Sequence, residues 1–101
     1  MATLNDSRRL STLDEFLFLI KMGNQSGYQI RKAFKTHFDM NVSFGTIYPT
    51  LSELHKEGYL SRKESKTDRR KMYSLTKRGR SKLTTDIGML SRTIAKLSTS
   101  L

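Results

Sequence analysis

The sequence contains no cysteine and no tryptophan, and it has two histidines and one proline. Without cysteine, the chain can form neither disulfides nor thiolate zinc sites, which is typical of proteins from reducing compartments. His37 and His55 stand in no metal-ligand or triad-like pattern, and no glycine-rich phosphate loop occurs. We therefore expect a protein that is not an enzyme and that uses no metal and no cofactor.

Long apolar segments are missing as well. No apolar run approaches the roughly 18 residues that a membrane-spanning helix needs. The N-terminal segment MATLNDSRRL also lacks the apolar core of a secretory signal peptide. These absences predict a cytoplasmic protein without a membrane partner.

Acidic residues are scarce, since 9 Asp and Glu stand against 19 Lys and Arg in 101 residues, which gives a net charge of +10. Such an imbalance indicates a polyanionic partner, with nucleic acid as the first candidate and an anionic membrane surface as the second. The length allows one small domain. The apolar fraction of 36% is modest, so we expect a partner chain to contribute part of the burial.

Periodicity and capping signals divide the chain into three parts. Residues 1–11 show no periodicity and are predicted to form a flexible arm. Residues 12–76 are predicted to form three helices and a β-hairpin, and residues 77–101 a C-terminal dimerisation helix. This order is that of a winged helix-turn-helix, a mainly α fold with a β-hairpin wing.

Local signals place the elements. Capping boxes are predicted at Thr12–Glu15 and Ser26–Gln29, and Thr76 is predicted to cap the last helix. The strands are predicted in YLSRKE and KMYSLT, on either side of the polar turn SKTDRR. The predicted apolar face of the first helix consists of Leu13, Phe16, Leu17 and Ile20.

The third helix, between Ser43 and Gly58, contains a proline. Pro49 should cost roughly 3 kcal/mol inside a helix. With Ile47, Leu51 and Leu54 on the buried side, the opposite face carries small side chains that would let the helix lie deep in a DNA groove. That face comprises Gly45, Pro49, Ser52 and Lys56, flanked by Thr46, Tyr48 and Glu53. The alternative is a helix with an irregular first turn that becomes regular only near Pro49.

Basic residues concentrate on the predicted wing. Ten of the 19 Lys and Arg residues lie between Arg62 and Lys82, opposed only by Glu64 and Asp68. A solvated hairpin tip would explain the cluster, but its place on a wing favours contacts with DNA phosphates or the minor groove. The predicted contacts from this region are Lys66, Arg69, Arg70 and Lys71.

Three segments in this order resemble the PadR-like transcriptional regulators: SGYQI at 26–30, GTIYPTLSELHKEGYL at 45–60 and RRKMYSLTKRGR at 69–80. The resemblance covers about residues 12–83. It implies a homodimeric winged-helix repressor that binds double-stranded DNA. In that family the Tyr-Pro helix enters the major groove and the wing meets the backbone. The implied residues are Ser43, Thr46, Tyr48 and Pro49 on the helix, and Arg69, Arg70 and Lys71 on the wing.

Because of two differences from that family, the sequence leaves open whether the protein binds a small-molecule effector. The chain stops soon after Leu97, without the long C-terminal domain of larger members. It also has no tryptophan, so it lacks the tryptophan-lined drug pocket of some small members.

The last helix carries a seam with apolar residues at heptad spacing. A seam this narrow favours pairing with a second copy, whereas an intrachain amphipathic helix is the alternative. The uncharged flanks leave parallel and antiparallel pairing open. The seam consists of Leu83, Ile87, Leu90, Ile94, Leu97 and Leu101.

A second function fits the same architecture. Plasmid partition proteins and replication terminators can share a winged-helix dimer with a C-terminal coiled coil, and some spread along DNA, so fold alone does not separate them from repressors. Neighbouring genes and footprint length would discriminate the two. RNA binding is less favoured, because no exposed aromatic pair is predicted on a strand.

Overall fold

In a computed structural model, residues 10–99 form four helices and one two-stranded antiparallel sheet. The elements are α1 (Thr12–Lys21), α2 (Gly27–Phe38), α3 (Phe44–Lys56), β1 (Leu60–Glu64), β2 (Lys71–Leu75) and α4 (Lys77–Thr99). The predicted arm at residues 1–11 lies almost wholly outside the described residues, and Leu101 of the seam lies outside them too. The order confirms the predicted winged helix-turn-helix.

The caps of the first two helices explain where these helices begin. The predicted Thr12–Glu15 box is wrong by one residue, because Ser11 is the N-cap of α1 and its Oγ accepts a hydrogen bond from the Asp14 backbone N–H at 3.2 Å. At α2 the predicted box is confirmed, since the Ser26 and Gln29 side chains each accept from the other's backbone N–H. Gly23 follows Met22, the C-cap of α1, and its positive φ of +112° ends that helix.

A single core joins α1, α2 and α3 to the hairpin and to the start of α4. At its centre the Phe16 and Phe34 rings meet edge to face with centroids 4.8 Å apart. The predicted inner face of α1 is partly wrong, because Leu13 is 42% exposed and Leu19 is buried in its place. The buried apolar residues are Phe16, Leu17, Leu19, Ile20, Ile30, Ala33, Phe34, Ile47, Leu51, Leu54, Leu60, Tyr73 and Leu83.

The two predicted strands pair as an antiparallel hairpin, with Leu60 opposite Leu75 and Arg62 opposite Tyr73. The Tyr73 side chain is buried in the core, and its backbone N–H donates to the Gln25 carbonyl at 2.8 Å. This bond ties β2 to the turn between α1 and α2. The wing is therefore held at a defined position relative to the helix-turn-helix.

The last helix begins on the core and then leaves it. The Thr76 hydroxyl accepts from the Gly79 N–H at 3.0 Å and donates to the Gly58 carbonyl at 2.6 Å, so the predicted cap also joins α4 to the end of α3. Among the described residues of α4, only Gly79 and Leu83 are buried. The whole helix is about 35 Å long at 1.5 Å per residue. Its part beyond Leu83 extends away from the winged-helix core.

Candidate nucleic-acid interface

The exposed face of α3 carries the residues that the sequence places there. Ile47, Leu51 and Leu54 are fully buried on the inner side, whereas Gly45, Pro49, Ser52 and Lys56 are all exposed. Ser43 is the N-cap residue, but its side chain does not cap the helix backbone. The Ser43 hydroxyl instead lies 3.4 Å from the Thr46 hydroxyl. Both hydroxyls are thus at the exposed start of α3 and available to an external ligand.

Pro49 lies within a helix that is regular from its start. The Ile47 N–H donates to the Ser43 carbonyl at 2.9 Å, which is an ordinary α-helical bond one turn ahead of the proline. The alternative of an irregular first turn is therefore not supported. Since Pro49 has no N–H, the Gly45 carbonyl loses its intrahelical partner. Gly45 is exposed, and its position lets solvent or a ligand approach that backbone.

Tyr48 contacts two groups that restrict its ring. Its ring stacks on Phe44 with centroids 5.5 Å apart and an interplanar angle of 21°, and the Arg31 guanidinium lies 4.8 Å from the centroid of the Phe44 ring. The far edge of the Tyr48 ring lies against the backbone of Gly27. Half of the Tyr48 surface remains exposed. Sequence reasoning found Tyr48 but missed Gly27, Phe44 and Arg31.

The wing presents its basic residues at an ordered turn. The Ser65 N–H donates to the Arg70 carbonyl at 2.7 Å and the Arg69 N–H to the Ser65 carbonyl at 3.0 Å, while Arg69 adopts φ +56°. Asp68 accepts from the Arg70 backbone N–H at 3.0 Å, and this bond lowers the pKa of the Asp68 carboxyl. The cationic side chains exposed here are Lys66, Arg69, Arg70 and Lys71.

A cleft of about 500 Å³ brings the helix and wing candidates together. It opens between the start of α2, the middle of α3 and the turn of the wing. Of the predicted residues, Tyr48 and Ser52 line it from α3, and Arg69, Arg70 and Lys71 line it from the wing. The other predicted residues do not line this cleft: Ser43, Gly45, Thr46, Pro49, Lys56 and Lys66.

A basic surface on α2 was missed by the sequence analysis. Tyr28, Arg31, Lys32 and Lys35 line a groove of about 280 Å³ that reaches Met40 and Asn41. These four residues recur at the i, i+3, i+4 and i+7 positions of one helix face. That spacing was the signal available in the sequence. The positive surface therefore extends from the wing across α2.

A small ionic cluster lies where α1 meets α4. Lys82 Nζ is 2.7 Å from Asp86 Oδ2, and this hydrogen bond lowers the pKa of Asp86 and raises the pKa of Lys82. Asp14, at 4% exposure, has its pKa raised by burial and by the neighbouring Asp86. The Oδ1 atom of Asp14 is buried without a hydrogen-bond partner among residues 10–99, which is consistent with a carboxyl whose neutral form is favoured. Nothing in the sequence indicated that this carboxyl is buried.

The apolar seam of α4 divides into two parts. Leu83 is 1% exposed and lies in the core of its own chain. Beyond it, Ile87 and Ile94 are 37% and 43% exposed, and Leu90 and Leu97 are half-buried. Met89 is a further exposed apolar side chain on this helix. Pairing through the seam stays a prediction, and within the described residues it concerns Ile87, Leu90, Ile94 and Leu97.

Two kinds of site are not found in residues 10–99. None of the helices there combines the length and apolar character that a membrane crossing requires. The same residues contain no group of three His, Asp or Glu side chains placed to hold a metal ion.

Comparisons with solved structures agree with this fold. Bacillus subtilis PadR in complex with operator DNA is 29% identical, with a TM-score of 0.65 over 72% of this chain and 44% of that chain. The PadR-like transcriptional regulator BC1756 from Bacillus cereus is 35% identical, with a TM-score of 0.61 over 74% of this chain and 44% of that chain. The chain thus spans less than half the length of these two proteins. A PadR family transcription regulator from Clostridium difficile R20291 is 22% identical, with a TM-score of 0.76, and the match covers 89% of this chain and 97% of that chain.

A comparison with models of protein families points to the same group of proteins as the structural matches. No protein of curated function matches the chain significantly. The family model described as the transcriptional regulator PadR-like family matches residues 16–85, which run from the first helix through the wing into the last helix. The family consists of transcriptional regulators, so the comparisons give no support to the partition or replication-terminator alternative. Because the match covers well over half of the sequence, this chain belongs to the PadR-like family of transcriptional regulators.

Proposed function

We propose that this regulator binds a palindromic operator in double-stranded DNA as a homodimer and represses transcription from it. The observation that carries the proposal is the cleft in which Tyr48 and Ser52 of α3 adjoin three cationic side chains of the wing. A groove-reading helix and a backbone-contacting wing need this adjacency, because both must reach the same stretch of duplex. The DNA-bound structure of Bacillus subtilis PadR supports it by family relation.

The exposed face of α3 would read the major groove. Ser43, Thr46 and Ser52 offer hydroxyls that can donate to or accept from base edges, and Tyr48 can donate to a base or a phosphate. Pro49 can contact a thymine methyl group. Gly45 adds no side chain, so this face is low enough to approach the bases closely.

Cationic residues would hold the duplex in place. Arg69, Arg70 and Lys71 on the wing can neutralise phosphates. Lys56 at the end of α3 and Lys66 in the turn of the wing are exposed as well. Such contacts fix register and orientation but carry little sequence information. The net charge of +10 makes binding strongly dependent on salt.

A second copy would cover the exposed part of the α4 seam. Ile87 and Ile94 expose large aliphatic surfaces to solvent in the single chain, and such surfaces mark interaction sites when they lie in a row. Pairing through them would place two α3 helices on one duplex. The half-sites of such a dimer lie about 34–36 Å apart, which is one turn of DNA.

A footprint on the DNA upstream of the protein's own gene tests this function. We expect protection of one short palindrome and loss of affinity with rising salt, measured by fluorescence anisotropy. A tract protected over many helical turns would instead indicate spreading, as in a partition protein. Absence of any preferred site would contradict sequence-specific regulation, and affinity that is unchanged by salt would contradict the phosphate contacts.

A further inference from the structure

The first residue of α2 is Gly27, although the backbone conformation at this position does not require glycine. The glycines with positive φ among the described residues are Gly23 and Gly58, not Gly27. At a helical backbone conformation, alanine has the higher helix propensity. The space around Gly27 is the limiting factor, because a Cβ there would lie 2.6 Å from Tyr48 Cε1, 2.9 Å from its Cζ and 3.0 Å from its Oη. The backbone of α2 therefore forms one wall of the Tyr48 site.

Phe44 forms a second wall. Its ring stacks with Tyr48, and the Arg31 guanidinium lies 4.8 Å from the centre of the Phe44 ring. A cation over one ring and an offset stack with the next are both attractive arrangements. Tyr48 is thus held from two sides while half of its surface still faces the cleft. An exposed tyrosine without such contacts would sample several rotamers.

We propose that Gly27, Phe44 and Arg31 are positioning residues that hold Tyr48 in its DNA-reading orientation and so contribute to operator specificity. This inference rests on the proposed function. A ring that is already ordered loses little rotamer freedom when DNA binds, and its hydroxyl stays in register with one base or phosphate. A methyl group on residue 27 would overlap the Tyr48 ring and displace it. The contact that depends on its position is then lost, while every charge that attracts DNA remains.

The experiment compares Gly27→Ala with wild type on the footprinted operator and on unrelated duplex DNA at one salt concentration. We expect Gly27→Ala to lose about tenfold in operator affinity, which is within the range of one base contact. Affinity for unrelated DNA should stay within about twofold of wild type, since non-specific binding depends on phosphate neutralisation. Gly88→Ala is the matched control, because its Cβ would meet no atom closer than 3.7 Å. It should leave both affinities unchanged.

A double-mutant cycle identifies the path of the effect. If Gly27 acts through the ring, Gly27→Ala should change operator affinity little when Tyr48→Ala is already present. Phe44→Leu provides a second variant that removes the stack without adding volume, and it should lower operator affinity in the same direction. This variant carries the test if Gly27→Ala loses its helical circular dichroism.

The outcomes separate this inference from the function on which it rests. Operator affinity equal to wild type in both Gly27→Ala and Phe44→Leu would overturn the positioning role alone. An equal loss in the presence and absence of the Tyr48 ring would also overturn it, because Gly27 would then act on DNA or on the fold directly. A wild-type protein without preference for any operator would overturn the proposed function, and this inference with it.

Discussion

Replacing Gly79 by alanine should destabilise the fold at the point where α4 leaves the hairpin. A Cβ on residue 79 would overlap the Tyr59 carbonyl oxygen and lie 3.1 Å from its carbonyl carbon and 3.4 Å from its Cα. Atoms in favourable contact are separated by about 3.5–4.0 Å. All three atoms belong to the backbone, and the same carbonyl accepts the Thr76 N–H at 3.1 Å. No side-chain rotation can relieve the clash, so α4 or the chain at Tyr59 must move.

The expected magnitude follows from two opposing terms. Adding a methyl group to a well-packed site costs about 1–3 kcal/mol, and a rigid backbone neighbour favours the upper end of that range. Alanine returns up to about 1 kcal/mol through its helix propensity. The net loss in the free energy of unfolding is therefore about 2 kcal/mol. For a domain of this size, 1 kcal/mol shifts the Tm by about 4–8 °C, which predicts a Tm roughly 10 °C below that of wild type.

Thermal unfolding followed by circular dichroism measures this loss. The matched control is Gly88→Ala, nine residues further along the same helix, where the nearest atom to the added Cβ is Arg92 Nη1 at 3.7 Å. That variant should gain up to about 1 kcal/mol, because the helix gains propensity without a clash. Both variants must be compared at several protein concentrations, since association raises apparent stability. A Gly79→Ala protein that melts as high as Gly88→Ala would refute the packing argument.

Four further predictions concern the proposed interface and the ionic cluster. Replacing Arg69 and Arg70 together by alanine should weaken binding to all sequences and flatten its salt dependence, measured by anisotropy across salt concentrations, because phosphate contacts are lost. Tyr48→Ala should cost about 1–3 kcal/mol of operator binding with little change in Tm, since its ring is half exposed. Leu90→Asp should sediment as a monomer that keeps the winged-helix core, because a charge buried in the seam is costly. Asp14→Asn should melt above wild type at neutral pH, and the difference should shrink on acidification. The sign of this difference follows from the raised pKa of Asp14, because ionised Asp14 is unfavourable in the folded state. Wild type therefore loses stability as the pH rises above 3.8, the ordinary pKa of this carboxyl.

Each of these predictions has a result that contradicts it. A double arginine variant with altered base preference and an unchanged salt slope would mean that the wing reads bases. A large fall in the Tm of Tyr48→Ala would make that ring part of the core. Leu90→Asp sedimenting as a dimer that still binds a palindrome would exclude the seam as the interface. A difference between Asp14→Asn and wild type that stays constant with pH would remove the titration of this carboxyl as its cause.

Local signals predicted the elements of the fold well. The strands predicted at residues 59–64 and 71–76 match the hairpin to within one residue at its outer ends. Alternation of Tyr73 and Leu75 with polar neighbours marks the second strand, because the side chains of a half-buried strand point to opposite faces in turn. The Ser26–Gln29 box marks the start of α2 for a similarly local reason. At α1 two boxes compete, since Ser11–Asp14 and Thr12–Glu15 both have the required spacing. The structure uses Ser11 as the N-cap, with its hydroxyl accepting from the Asp14 N–H, and spacing alone could not decide between the two.

Contacts between distant residues are what the sequence could not predict. Gly27 and Tyr48 belong to different helices, and nothing in either segment indicates that the ring of one lies on the backbone of the other. Gly79 shows the same limit, since it reads as an unfavourable residue near the start of a helix until Tyr59 is placed beside it. Asp14 looks like a surface residue of a first turn, yet α4 covers it. In each case tertiary packing decides the role of the residue.

Pro49 illustrates how burial can separate folding from recognition. Its position inside α3 costs about 3 kcal/mol by propensity, yet the helix is intact from Phe44 to Lys56. On the opposite side, Ile47, Leu51 and Leu54 are buried, and each such side chain contributes about 1.5–3 kcal/mol. Their sum exceeds the proline term, so burial of the inner face can offset the cost of Pro49. The side chains of the outer face are exposed and contribute little to the core, so their identity can be determined by what the helix binds.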